Sequence, residues 1–204
     1  MWHDTLWASV STRYLAGRVE TLKTILYTMH GSHLYGLAHE HSDRDTYRVV
    51  LCDDKRYISH MVDDVSDSTE IHFDRFVGQV NKGVPQALEA LYSRSAAHNT
   101  AYLPYLRSLR PDPYTVADTY WRTALNFAVG DFKQMRHAMR LVLNLHDFMR
   151  YGSFNPQLTP AEVTFVNRYA RLDKREFRVT LQTYLEYALR GVIWATTCIA
   201  VCYG

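Results

Sequence analysis

Residues 31–45 hold the densest reactive chemistry in the chain: Gly31-Ser32, ten intervening residues, then Asp43-Arg44-Asp45. On an extended strand, residues i and i+2 project from the same face, so Asp43 and Asp45 would set two carboxylates side by side. Two like charges that close are costly unless a cation neutralises them, and hard carboxylate oxygens suit Mg²⁺. The Gly-Ser pair offers backbone N–H groups at a helix start, where free donors and the helix dipole favour a phosphate. Gly31 allows a close approach of the backbone, and the Ser32 hydroxyl can donate to a terminal phosphate oxygen. A lone Asp-x-Asp or a lone Gly-Ser carries little information. At this spacing the two together point to the handling of a metal-bound polyphosphate.

A second constellation is Lys133, Arg136, His137 and Arg140. Offsets of 0, 3, 4 and 7 lay them along one helix face, with Met135, Ala138, Met139, Val142 and Leu145 forming an apolar side. Lys as a point charge, Arg as a fork and His as a donor suit a polyphosphate; the competing reading is a solvated surface face. Other polar residues read as ordinary. His39 and His41 belong to a loop beside the carboxylates, and His72 reads as a strand surface residue. Tyr27, Tyr47, Tyr102 and Tyr105 read as core or rim, while Tyr35 lies close enough to the Gly-Ser turn to flank a nucleotide.

These groups need elements to place them. Ile25–Met29 is β-branched and aromatic, which predicts a strand that stops at Gly31-Ser32. A short helix is expected at about 33–39, then a second strand at about 43–52. A third strand is expected near 68–73, after the acidic loop at 63–67. From Asp74 the apolar period becomes helical, and Lys82-Gly83-Val84-Pro85 divides this region into two helices, with Pro85 opening the second. Further helices are expected at 101–110, 114–128 and 131–151, the last closed by Gly152. Thr159-Pro160-Ala161-Glu162 has the form of a capping box. The expectation is an α+β fold: a small mixed-sheet core over 1–98, then a helical region over 99–204, with a soft boundary near 98–112.

Bulk composition bounds the function. The chain has 204 residues, 47% of them hydrophobic and 22% charged, which reads as globular. A net charge of +2 imposes no broad basic footprint and argues mildly against a long nucleic-acid acceptor. Cys52, Cys198 and Cys202 form no disulfide framework or CxxC pair, which fits a reducing cytoplasm. Met1-Trp2-His3-Asp4 predicts no signal peptide. The apolar stretch 191–204 is shorter than the ~20 residues of a spanning helix and reads as a buried helix or strand.

The segment GSHLYGLAHEHSDRD resembles the signature of nucleotidyltransferases in the DNA polymerase β superfamily, a Gly-Ser followed about ten residues later by Asp-x-Asp. Its Tyr35-Gly36 and Ser42-Asp43 flanks resemble a bacterial and phage branch of predicted nucleotidyltransferases. That branch carries a Lys-Gly-Asn-Pro pattern and then Leu-Glu-x-Leu, similar to Lys82-Gly83-Val84-Pro85 and Leu88-Glu89-Ala90-Leu91, with Val84 replacing the usual Asn. The segment KQMRHAMRLVLNLHDFMRYG resembles the branch's later helix. The resemblance covers about residues 25–172 and is most specific across 31–45.

It implies a polymerase β palm-like core and transfer of a nucleoside monophosphate from an NTP, ATP among the candidates, to a hydroxyl with release of pyrophosphate. It implies two Mg²⁺ ions, with Mn²⁺ as a substitute, held by Asp43, Asp45 and a third carboxylate that also acts as base. Asp67 is the best match for that third position and Glu70 the alternative. Gly31, Ser32, Lys133, His137 and Arg140 would bind the nucleotide phosphates. The acceptor is left open among an RNA end, a protein side chain and a small molecule, and no membrane partner is expected. The rival readings are a non-catalytic nucleotide-binding module and a protein-interaction module of the same fold.

Overall fold

The computed structural model describes residues 10–15, 18–62 and 66–202. The chain is α+β. Its strands are β1 (Val10–Leu15), β2 (Arg18–Met29), β3 (Thr46–Leu51), β4 (Ile58–Val62), β5 (Asp67–His72) and β6 (Ala97–His98). Its helices are α1 (Gly31–Tyr35), α2 (Phe73–Asn81), α3 (Pro85–Tyr92), α4 (Leu103–Ser108), α5 (Pro113–Phe127), α6 (Phe132–Tyr151), α7 (Pro160–Tyr169) and α8 (Lys174–Cys202). Two compact units result: a sheet unit of residues up to Val80 with Glu89–Leu109, and a helical unit of Asn81–Leu88 with the residues from Arg110 onward.

The sheet is mixed, in the order β1-β2-β3-β5-β4, with β6 paired to β2. β3 and β5 run parallel; the other pairs are antiparallel. Side chains alternate between faces along each strand. Leu26 and Thr28 of β2, Tyr47 and Val49 of β3, and Thr69 and Ile71 of β5 share one buried face. In α2, Phe76 and Val80 are one turn apart and fully buried, and the Tyr47 hydroxyl donates to Gln79 at 3.2 Å. Arg48 and Glu70 lie on the opposite, half-buried face.

β2 serves both faces because it contains a bulge. Lys23 and Thr24 pair with Leu51 and Val50, but the register then shifts so that Leu26 pairs with Val49. Leu22 therefore packs with Val50 and Tyr57 in a satellite cluster, whereas Leu26 lies in the main core. An extra unpaired residue of this kind bends a strand and rephases its side chains.

His72, expected on the strand surface, is instead 1% exposed. Its Nδ1 accepts a hydrogen bond from the Asp74 amide at 3.0 Å, satisfying one of the free donors at the start of α2. The residue that ends β5 therefore caps the next helix.

In the helical unit, Gly83 turns the chain at φ +66°, and a β-carbon there would lie 2.7 Å from the Val116 Cα of α5. The Thr119 hydroxyl of α5 donates to the Lys82 carbonyl at 2.8 Å. This close approach explains why the Lys-Gly-x-Pro segment needs its glycine. The predicted caps form: Thr159 and Glu162 make a reciprocal capping box at α7, and Gly152 closes α6 at φ +71°. A further capping box, Asp131 with Gln134, opens α6.

The terminal apolar stretch continues α8 to Cys202, so it is helical as far as it is described. The side chains of Cys198 and Cys202, and the acidic residues Asp63 and Asp64, lie outside the described residues. Among the described residues no helix is long and apolar enough to cross a membrane.

Candidate functional site

The Gly-Ser turn and the Asp-x-Asp pair meet in the sheet unit. β2 ends at Met29, and the His30 amide donates to the Asp45 carbonyl at 2.8 Å, tying the chain before α1 to the chain before β3. Gly31 follows at φ +61°. A β-carbon on Gly31 would lie 2.9 Å from the Asp45 Cγ and overlap its carboxylate. The space that any other residue's side chain would fill is thus occupied by the Asp45 carboxyl group. The strand itself begins at Thr46, not at Asp43 as predicted, so both aspartates sit on the irregular segment leading into it.

α1 begins at Gly31, two residues earlier than expected, and is a single turn closed by Gly36 at φ +71°. Leu34, Tyr35 and Leu37 are buried and anchor it, which leaves Ser32 on the half-exposed side. The loop into Asp43 is tightly held. The Ser42 Oγ accepts from the His39 amide at 2.9 Å, the His39 Nδ1 from the His41 amide at 3.2 Å, and the His33 ring approaches the Ser42 carbonyl at 3.3 Å. These histidines shape the approach to the carboxylates. By contrast, the Ser32 hydroxyl and the Asp43 carboxylate have no partner among the described residues.

The two candidates for a third carboxylate occupy different environments. Thr46 pairs with Ser68 across the parallel β3–β5 ladder, and their hydroxyls meet at 2.9 Å. Asp45 and Asp67 are the residues immediately before that pair. Alternation turns Asp67 to the face opposite Ser68 and Glu70. Glu70 accepts from the Arg48 guanidinium at 2.7 Å through one oxygen and from the Tyr57 hydroxyl at 2.8 Å through the other. Arg48 is held in turn by Thr24 at 2.9 Å. Glu70 is therefore committed to joining strands, whereas Asp67 is exposed and has no side-chain partner among the described residues.

Among the described residues, no three His, Cys, Asp or Glu side chains gather into a group able to hold a metal by themselves. Asp43 and Asp45 still have the donor chemistry for a hard divalent cation. Mg²⁺ is commonly held by one or two carboxylates, with substrate phosphates supplying further oxygens. Asp45 against the Gly31 turn, with Asp43 two residues before it in the chain, supplies one or two such carboxylates.

Two expected site features stand in surroundings other than the expected ones. Tyr35 does not flank an open nucleotide pocket: it is 3% exposed, and its hydroxyl donates to Glu89 at 2.6 Å. The cationic row of α6 is not a continuous solvated face. Lys133 is exposed, and Arg136 and His137 are half-buried, with Arg136 lying over the Phe132 ring at 5.6 Å. Arg140 is 3% exposed. α6 packs against α5, α7 and α8, and within 138–145 every residue but the half-buried Leu143 is buried. Burial lowers the Arg136 pKa from its ordinary value.

No protein-family model matches the chain, and no curated protein matches it at a significant level.

Proposed function

We propose that the protein is a nucleotidyltransferase of the DNA polymerase β superfamily, transferring a nucleoside monophosphate from an NTP to a hydroxyl acceptor and releasing pyrophosphate. One observation carries the reading: the Asp45 carboxylate is seated against the Gly31 Cα, with Asp43 two residues before it and a free Ser32 hydroxyl two residues along from His30. A turn required to be glycine because it receives a carboxylate gives a physical reason for the Gly-Ser and Asp-x-Asp spacing.

In this reading Asp43 and Asp45 hold a divalent cation, which when bound would neutralise triphosphate charge and lower the pKa of the acceptor hydroxyl. Ser32 donates to a phosphate oxygen. The acceptor oxygen attacks the α-phosphorus in line, and the bond from that phosphorus to the pyrophosphate oxygen breaks. Asp67, the exposed and uncommitted carboxylate, takes the hydroxyl proton. Glu70 is left outside the chemistry because both its oxygens are engaged. The reading rests on residues of the sheet unit alone.

The test is incubation of purified protein with each α-³²P NTP, Mg²⁺ or Mn²⁺, and a mixture of RNA, lysate protein and small hydroxyl compounds. Pyrophosphate release and label transfer should fall at least about 1000-fold in Asp43→Ala/Asp45→Ala. Tight NTP binding with no pyrophosphate release under any of these conditions would overturn catalysis and leave a nucleotide-binding module.

A further inference from the structure

We propose that Glu89 is a positioning residue for the Gly31–Ser32 turn and Asp45. Glu89 is a carboxyl group with 1% exposure in α3, a surrounding that such a group occupies only when its oxygens are engaged. The Tyr35 hydroxyl donates to its Oε2 at 2.6 Å. That hydroxyl has a single proton, so the His30 ring nitrogen 3.4 Å away can only be donating to it. The Nε2–H form of the His30 ring is the one that makes this bond. The His30 main-chain amide then donates to the Asp45 carbonyl at 2.8 Å. Hydrogen bonds thus link Asp45 through His30 and Tyr35 to Glu89, and α1, which carries Gly31 and Ser32, lies between the links.

The anchoring end is itself fixed. Ser93, one turn beyond Glu89, donates its amide to the Glu89 carbonyl at 2.9 Å, and its Oγ accepts from the buried Thr28 hydroxyl of β2 at 3.1 Å. Packing alone could bury the Tyr35 ring, but it would not choose the rotation of α1 about its axis. A short hydrogen bond to a buried acceptor does. Loss of that bond lets the single-turn helix tilt, and a misplacement of about 1 Å at a reacting centre costs up to about 100-fold in rate.

The kinetic arm of the test rests on the nucleotidyl-transfer reading; the exchange arm does not. Tyr35→Phe removes the donor, Glu89→Leu removes the acceptor, and Glu89→Gln keeps an oxygen for Tyr35. Amide exchange across residues 30–37 should quicken in Tyr35→Phe and Glu89→Leu well beyond any change in β3 and β5, measured against the lowered urea midpoint that loss of a buried hydrogen bond brings. Label transfer should show kcat down about 10- to 100-fold with KM for the NTP changed less than about threefold. Glu89→Gln should restore most of what Glu89→Leu loses, and the double variant Tyr35→Phe/Glu89→Leu should lose no more than the worse single one. If exchange quickens equally over the whole sheet unit, or stays unchanged at 30–37, Glu89 is a packing residue and the proposal is wrong. If wild-type protein transfers no label while residues 30–37 loosen as described, the positioning stands and the assigned reaction does not.

Discussion

Gly31→Ala is the perturbation that most directly probes the junction of the turn and the carboxylate. Alanine in the left-handed region costs about 1–2 kcal/mol, partly offset by about 0.4–1 kcal/mol from the stiffer unfolded chain. Gly152 isolates that backbone effect, since it has φ +71° and no atom within 4 Å of a built β-carbon. Gly152→Ala should therefore cost about 1 kcal/mol. At Gly31 the same cost is joined by displacement of the Asp45 carboxyl group, which the new methyl would overlap. Forcing that side chain from its rotamer adds about 0.5–1.5 kcal/mol, for a total near about 2 kcal/mol and an open population raised about 30-fold.

The two glycines lie in different units, so a single melting temperature would mix their effects. Peptide-resolved hydrogen exchange in rising urea reads each segment separately: 26–35 and 43–50 for Gly31→Ala, and the end of α6 for Gly152→Ala. The expected signature is a loss of protection around Asp45 in the first variant only. Equal costs for the two substitutions, with 43–50 undisturbed, would refute the claim that Asp45 occupies the place of a side chain at Gly31.

Arg48→Met should destabilise the sheet unit by about 1–3 kcal/mol by stranding the half-buried Glu70, and Arg48→Met/Glu70→Gln should recover part of that loss in a urea titration. Asp67→Asn should lower nucleotidyl transfer at least about 10-fold while Glu70→Gln changes stability more than rate; the opposite pattern in the label assay would exchange their roles. Burial raises the Tyr47 hydroxyl above the ordinary phenol range. Its neutral form is thus favoured in the folded state, so stability is complete below about pH 10 and falls as pH rises beyond it. Tyr47→Phe should flatten that alkaline loss in a pH series of denaturant midpoints. Thr159→Ala should cost about 1 kcal/mol by removing the α7 cap, read from exchange in the first turn of that helix.

What the sequence disclosed, and what it hid, follows the range of the interactions involved. The α7 capping box was legible because Thr159 and Glu162 lie within one turn and their bonds are local. The Gly-Ser and Asp-x-Asp spacing was legible as a pattern, although the contact between Gly31 and Asp45 depends on β2 and β3 pairing. Glu70 stays as the alternative to Asp67 in the sequence, because the Arg48 and Tyr57 that engage it are 22 and 13 residues away.

Arg140 defeated the helical-face argument for another reason. A periodic pattern assigns one side to water, but α6 packs against three helices and only Leu143 within 138–145 is less than buried. His72 looked like a surface polar residue because capping a helix from the end of a strand depends on where the next element starts. β4 was not read as a strand because most of its residues are exposed, so pairing with β5 defines it more than any apolar alternation does. Tyr35 was placed near the right turn, but its inward direction depends on a carboxylate 54 residues later.

The bulge in β2 also governs which changes in chain length the protein can absorb. Leu22 and Leu26 share the same parity, yet they serve opposite faces because one residue between them drops out of the ladder. Deleting Ile25 alone would turn the strand to simple alternation while keeping both halves in their present phase and register with β3, at the cost of one buried side chain and the bend it makes. Deleting two residues at 24–25 would instead set Leu22 and Leu26 on one face, so that either Leu22 leaves the satellite cluster or Leu26 and Thr28 swing out of the core. Double deletions should therefore be tolerated in the exposed loop at 53–56 and rejected at 24–26, where single deletions pass. A library of one- and two-codon deletions across β2 would map that boundary residue by residue.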